Sequence, residues 1–530
     1  MITMNDHNIY MRVENRELIE RFKSEVIDYF KKYSRFQKVD HEIKERMENP
    51  YLIFYLMNPT ERFFKILEDT CEVLSNDNVF RDRTTLIPRR KSVKDRMHLP
   101  EVQLLRTVLS ESLTVTRHSF EDDFFSRYIP SVFDAEPDME AHGNHIVYGR
   151  RGAGKSSLLL YCMHKLKKDH KPFAWVDMQT YNGRSDFRTV VDVLSEMIDQ
   201  LSDYNDEFKE KEIIEHCFAS LDNHNDDNLE NRLNRNIPKI KKFFSSISKN
   251  YGSLFLFLDD IHVVHSDLQP KLLSILYSLS HGNRTFMKIS GIEQFTKTWN
   301  PSTRVGLETP HDARIIKLDY NLTMLDKAKK HIHDILDAHA IYCGLPDINY
   351  LCGKGVLDRI VWVAAGVPRD AINIFTQSMS RASVKNQKLV SMTSVNTSAS
   401  EMADEKLKDI QKDASGECEG VRRILDRIRD FCIKEKRKNA FLVEIQNENP
   451  DFQQIGKLIA LRLLHVLSEG ITPGEAGRRH LALMLDYGFY VGIRAARSVD
   501  LFHKEPTEPI RSKELRKLPI FRLVDANPEK

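Results

Sequence analysis

The residues best placed to do chemistry lie in one run, Gly149-Arg150-Arg151-Gly152-Ala153-Gly154-Lys155-Ser156, which fits the pattern G-x-x-x-x-G-K-[ST]. Glycines in such a run let the backbone curl until several N–H groups point at a phosphate. The flanks agree. His145–Tyr148 (HIVY) reads as a short buried strand and Ser156–Lys168 as a helix, whose N-terminus carries partial positive charge. Gly149 through Ser157 are therefore read as a phosphate cradle, with Lys155 reaching the β- and γ-phosphates and Ser156 holding Mg²⁺. The expected ligand is ATP with Mg²⁺.

A phosphate-bound metal needs an acidic partner. Leu254–Leu258 (LFLFL) is an unbroken apolar run of the kind buried on both faces of a parallel sheet, and Asp259-Asp260 follows it. Asp259, at the strand end, is the candidate metal ligand, acting through water. Asp260 is the candidate that orients or deprotonates an attacking water. A helix cap after a buried strand gives the same pattern, but the phosphate loop upstream favours the catalytic reading. A second strand, Thr285–Ile289, ends at Ser290, a candidate to touch the γ-phosphate or the water; an ordinary strand-end serine fits equally well. Gly366-Val-Pro368-Arg369 lies between helical stretches. Gly366 suits a helix end and Pro368 a helix start, which leaves Arg369 in a first turn, where the helix dipole disfavours a cation. That placement makes Arg369 a candidate γ-phosphate contact.

These residues need elements to hold them. Apolar periodicity suggests helices in residues 1–115, at Glu17–Tyr33 and Pro59–Leu74, with a basic loop at Arg81–Arg96 that is either an exposed linker or a phosphate contact. Residues 116–320 alternate strand and helix signals, the mark of a parallel sheet with crossover helices; Phe173–Met178 and Arg314–Leu318 complete the strands. Residues 207–250 read as charged and helical, with a polar interruption at 222–228. Residues 321–405 turn helical, the expected lid. Residues 419–505 read as helical or winged-helix-like, with helices at Arg422–Lys436, Ile455–Ser468 and Pro473–Tyr487, and 506–530 as a polar tail. Arg478 and Arg479 would then open a candidate recognition helix. The basic run Arg422–Lys438 suits either a DNA-facing surface or a solvated helix face.

Composition narrows the classes. The formal net charge is +2 over 530 residues, which argues against a polycation that coats nucleic acid. Length implies more than one core. Seven cysteines without a C-x-x-C pair fit reduced thiols in a cytoplasmic protein. Residues 1–17 are polar, so no cleaved leader is expected, and no stretch is apolar enough to span a membrane. His331, His333 and His339 are read as solvated helix histidines, since their spacing does not put a ligand pair on one helix face.

The order of these motifs resembles AAA+ P-loop ATPases of the origin-recognition-complex type and the related STAND signalling ATPases. The resemblance covers about residues 120–400 and includes Leu389–Val395 after the G-x-P-R helix. It implies an α/β fold with strand order 5-1-4-3-2, a helical lid, and Arg369 as the lid's nucleotide sensor. It also implies an arginine finger, for which Arg304 is the best candidate, and a homo-oligomer acting with duplex DNA or a partner effector protein, with a role such as phage defence. A STAND-like nucleotide-gated scaffold is the alternative, and a P-loop small-molecule kinase a more distant one. The second acid is Asp, where these ATPases commonly carry Glu. Its shorter reach implies slow hydrolysis or a switch that only binds nucleotide.

Overall fold

In the computed structural model, residues 3–46, 49–89, 95–116, 122–204, 216–219, 221, 229–318, 322–413, 418–473, 478–491, 499–500, 502 and 511–523 are described. The chain divides into two units. One comprises Met1–Thr114, His333–Ile360 and Ile372–Ser398; the other comprises Val115–Ile332, Val361–Ala371 and Ala399–Lys530.

The N-terminal 115 residues, expected to be helical, hold a sheet. Helix α1 (Thr3–Ser34) is followed by β1 (Asp40–Arg46) and β2 (Asn49–Leu56), then α2 (Glu61–Val73), β3 (Thr84–Pro88) and α3 (Pro100–Glu111). β1 pairs antiparallel with β2, and β3 parallel with it. The reason is local. β2 reads NPYLIFYL, rich in aromatic and branched side chains that suit a half-buried pleat, and Leu52, Ile53, Phe54 and Leu56 are buried. β1 is charged and almost wholly exposed, as an edge strand should be. The basic stretch Arg81–Arg96 is not simply a loop, because β3 runs through it. Arg89 pairs with Asp40 and donates to the Tyr55 carbonyl at 3.2 Å, and Arg96 donates to the Tyr350 carbonyl at 2.6 Å. Residues 90–94 lie outside the described residues.

The second unit is built on five parallel strands: β4 (His145–Tyr148), β5 (Phe173–Asp177), β6 (Leu254–Asp259), β7 (Thr285–Gly291) and β10 (Arg314–Lys317). They lie side by side as β10-β4-β7-β6-β5, which in chain order is 5-1-4-3-2. Between them run α4 (Lys155–Lys168), α5 (Arg188–Leu201), α6 (Leu229–Tyr251) and α7 (Leu268–Ser280), and a short hairpin of β8 (Trp299–Asn300) and β9 (Val305–Gly306). Period-two alternation divides the strand side chains between two cores. Ile146, Leu254, Leu256 and Leu258 join one; Val147, Trp175, Phe255 and Phe257 join the other. Full burial of one such leucine is worth about 1.5–3 kcal/mol. The interruption expected at 222–228 lies outside the described residues.

Residues after 321 are helical through α8 (Leu325–Tyr342), α9 (Val356–Val363), α10 (Pro368–Val384) and α11 (Met392–Asp413), and they are shared between the two units. The C-terminal part is not helical throughout. Helix α12 (Cys418–Asp430) leads to β11 (Ala440–Glu444), α13 (Pro450–Ala460), β12 (Leu464–Ile471), β13 (His480–Leu485) and β14 (Ile520–Phe521), in a sheet ordered β12-β13-β11-β14. The helix expected over Ile455–Ser468 stops early. Arg462 adopts a left-handed conformation (φ 65°), and the Leu463 N–H closes back on the Leu458 carbonyl at 2.9 Å. This is the helix stop usually made with glycine. The helix expected over Pro473–Tyr487 is instead β13; Arg478 and Arg479 precede that strand and open no helix. The expected tail contributes β14, whose Phe521 packs edge-on against Phe431 at 5.3 Å.

Candidate nucleotide-binding site

The loop between β4 and α4 curls as its glycines allow. Gly152 and Gly154 take φ of 80° and 94°, where a side chain is strained. The Ala153 N–H donates to the Arg150 carbonyl at 3.1 Å, and the Leu158 N–H starts α4 on the Gly154 carbonyl at 3.0 Å. Lys155 is buried, its Nζ 3.3 Å from the Gly149 carbonyl and 3.5 Å from that of Arg150. Both contacts are long, so an anion in the loop can replace them. Burial pushes the Lys155 ammonium below its ordinary range, while Asp260 and Asp259 pull it back.

Parallel pairing sets the acids beside this loop, since strand ends in a parallel sheet open on one edge. The Ser290 hydroxyl, fully buried at the end of β7, donates to Asp259 Oδ1 at 2.5 Å and accepts the Asp260 N–H at 2.8 Å. Ser156 lies beside Asp259 and favours its charged form. Burial and the neighbouring Asp260 push the Asp259 carboxyl up to about 7, against Ser290, Ser156 and Lys155. Burial also opposes the charge of Asp260, but Lys155, His262, Gln179 and Arg151 outweigh it and hold that carboxyl below the usual range. Asp259 and Ser156 offer adjacent hard oxygens beside the loop, a donor set that fits hydrated Mg²⁺.

Arg369 lies in the first turn of α10 and meets the loop. Its N–H donates to the Gly152 carbonyl at 3.3 Å, and a Cβ on Gly152 would stand 2.7 Å from the Arg369 Cβ. The side chain is exposed. Desolvation by its surroundings, then repulsion from Arg462 and Arg151, lowers the pKa of its guanidinium. A cation crowded by cations is a receptive place for an anion.

A string of buried polar groups joins this loop to the C-terminal sheet. Arg150 donates to the Ala365 carbonyl at 3.1 Å, and its Nη1 lies 3.5 Å from His465 Nδ1 on β12. His465 Nε2 lies 2.8 Å from Asp486 Oδ2. A carboxylate only accepts, so Nε2 carries the hydrogen and Nδ1 presents its lone pair to Arg150. Burial lowers His465 to about 4, against the pull of Asp486, so the ring is neutral. Lys406 on α11 bridges Asp486 at 2.7 Å and Asp370 at 3.1 Å, and Asp370 also pairs with Arg462. Asp370 is the residue after Arg369, so both ends of the string reach the candidate site.

The structure brings together Lys155, Ser156, Asp259, Asp260 and Ser290 around the loop, with Arg369 beside Gly152. Arg304 lies exposed in the β8–β9 turn. Gln179, which donates to Asp260 Oδ2 at 3.1 Å, and His262, His465, Lys406 and Asp486 were not singled out from sequence. Gln179 had a signal: it follows the end of β5, next to β6 in the sheet. His465 and Asp486 are isolated polar residues in apolar segments, and Lys406 is one charge among many in Asp404-Glu-Lys-Leu-Lys-Asp409, so neither pattern sets them apart. Arg423 and Arg427 of the basic run both pair with Asp451, at 2.9 and 2.8 Å. His331 and His339 are buried rather than solvated. Among the described residues no group of three or more His, Cys, Asp and Glu side chains is placed to hold a metal, and no helix is long and apolar enough to cross a membrane. The cysteines are free thiols.

No family model matches this chain, and no curated protein does. Its fold is similar to that of the Aeropyrum pernix ORC2 protein, solved in ADPNP–ADP complexes, with 12% identity, 72% of this chain and 95% of that one covered, and a TM-score of 0.36. It is similar to a Walker-type ATPase of Pyrococcus abyssi at 12% identity, covering 71% and 99%, with a TM-score of 0.40. Domain III of the Thermotoga maritima replication initiation protein DnaA matches at 12% identity, covering 52% and 96%, with a TM-score of 0.31. The likeness is distant, so function is argued from the residues of this chain's own site.

Proposed function

We propose that the chain is an ATP-dependent switch that binds ATP with Mg²⁺ on the Gly149–Ser157 loop and uses it to set the position of its C-terminal β-domain. The observation that carries this reading is the buried string from Arg150 to Asp370. A nucleotide that pulls on Arg150's loop or on Arg369 changes the partners of His465 or Asp370, and a buried charge cannot lose a partner cheaply. Each site residue then has a role. Backbone N–H groups of the loop and Lys155 hold the phosphates. Ser156 and Asp259 hold Mg²⁺, which when bound neutralises charge on the β- and γ-phosphate oxygens. Asp260 directs the attacking water, Ser290 keeps the two acids in register, and Arg369 contacts the γ-phosphate. Hydrolysis is slow, because Asp260 is one methylene shorter than a glutamate.

The output is assembly with further copies or control of a partner protein. Duplex DNA is a weaker candidate for the α12 face, where Arg423 and Arg427 are already held by Asp451. The test is nucleotide affinity, turnover and particle mass, with and without duplex DNA, for wild type, Lys155→Ala and Asp260→Asn. Lys155→Ala should lose binding; Asp260→Asn should bind and not turn over. Tight ATP binding by Lys155→Ala would remove the site assignment, and salt-sensitive stimulation by DNA would restore the DNA reading.

A further inference from the structure

Asp260 is held at its backbone and at one carboxylate oxygen. Its backbone is left-handed (φ 58°, ψ 46°), its N–H is bound by Ser290, and Gln179 donates to its Oδ2 at 3.1 Å. Its other oxygen, Oδ1, faces His262 Nδ1 at 3.8 Å, beyond hydrogen-bond length. The His262 side chain is 5% exposed, and its Nδ1 is a buried atom without a hydrogen-bond partner. A buried ring nitrogen left unpaired is costly, and such groups mark places where a partner arrives in a working state. The loop beneath is stitched by backbone hydrogen bonds. The Val263 N–H closes on the Asp260 carbonyl at 3.1 Å, the Gly183 N–H on the Val263 carbonyl at 3.1 Å, and the His265 N–H on the Arg184 carbonyl at 3.2 Å. Closing the gap therefore needs a shift of only about 1 Å between two side chains.

We propose that His262 is a positioning residue for Asp260: in the nucleotide-loaded site its Nδ1–H donates to Asp260 Oδ1. With Gln179 on Oδ2, the carboxylate is then clamped from both oxygens and aimed at the attacking water. Each oxygen keeps a second lone pair for that water. In the step served, the water oxygen bonds to the γ-phosphorus and a water proton passes to Asp260. The bond from the γ-phosphorus to the β–γ bridging oxygen breaks, ADP and inorganic phosphate leave, and Asp260 returns its proton to solvent. A short acid needs such a clamp more than a glutamate would, because a small swing takes it out of reach. The inference rests on the hydrolytic reading of the site.

The test is ATP turnover by the full chain with Mg²⁺, with ATP affinity and thermal unfolding measured alongside, for wild type, Lys155→Ala, His262→Ala and His262→Asn. His262→Ala should lower kcat by about 10- to 100-fold while KM and affinity stay within about 2-fold. His262→Asn, whose amide nitrogen can occupy the Nδ1 position, should keep kcat within about 3-fold of wild type. Wild-type kcat in His262→Ala overturns the proposal, as does an asparagine variant no better than alanine. If His262→Ala does not fold, His262→Gln decides: its amide lies nearer the Nε2 position, so turnover should fall, and wild-type turnover overturns the proposal. A wild type no faster than Lys155→Ala removes the hydrolytic reading and this role together. An active wild type with an indifferent His262→Ala removes this role alone.

Discussion

Ser290 ties the two acids of the site into one unit, because a single hydroxyl donates to Asp259 and accepts from the Asp260 backbone. Ser290→Ala leaves a buried carboxylate and a buried N–H short of a partner, so turnover should fall by about 10- to 100-fold and stability by about 1–3 kcal/mol. Steady-state kinetics and thermal unfolding of that variant check both. Gly152→Ala should be harmful for a different reason. Its φ of 80° disfavours any side chain, and the added Cβ would stand 2.7 Å from that of Arg369. Nucleotide affinity should drop by about 10-fold or more, since the loop must deform and Arg369 must move. The glycine-rich loop and the two acids were singled out from sequence because the chemistry expected of them imposes a fixed local spacing. Gln179 and His262 were not, because what places them beside Asp260 is which strands are neighbours and how one loop is stitched to another.

Helix α13 and strand β12 show why the C-terminal part was misread. Eight leucines and three alanines stand in the segment from Ile455 to Leu485, and these residue types favour helix in isolation. The left-handed Arg462, anchored by Asp370, ends the helix without glycine or proline to announce it. The strands of the parallel sheet were legible for the opposite reason: LFLFL and HIVY are continuous apolar runs too short for a buried helix. The buried string that crosses these elements has a measurable consequence. Lys406 is 3% exposed and lies between Asp370 and Asp486. Lys406→Met should cost about 3–5 kcal/mol, because it removes the cation between two buried carboxylates: Asp370 keeps Arg462, and Asp486 is left with the neutral His465 ring. The surface pair Lys434–Asp430 is the control, its side chains 72% and 55% exposed, and Lys434→Met should change stability by less than about 0.5 kcal/mol. Denaturant unfolding of the two variants separates the cases.

Across the second unit, burial lowers several histidines in the same direction. His145, His331 and His465 stand near 4 when folded, against 6.5 when free. Between those values these three side chains hold more protons in the unfolded chain than in the folded one, so their contribution to stability falls as pH drops from 6.5 towards 4, while Asp259, with its raised carboxyl, works in the opposite direction. His465 alone should account for a loss of up to about 3 kcal/mol. Asp370 and Asp486 are held below their free range of 3.8, so their contribution is kept through that window and lost only at lower pH. Unfolding midpoints measured from pH 7 to pH 3 should therefore show a first decline from histidines and a second from carboxylates. At this level the parallel sheet and the helices after residue 321 were legible in the sequence, but not the link between that sheet and the C-terminal one, because that link is made of scattered single residues, Arg150, His465, Asp486, Lys406 and Asp370. The most direct test of the switch is backbone hydrogen exchange in β12 and β13, with and without Mg²⁺ and ATP, in wild type and Lys155→Ala. Exchange there should change on ATP binding in wild type and not in Lys155→Ala; unchanged exchange in wild type shown to be saturated with ATP would contradict the coupling.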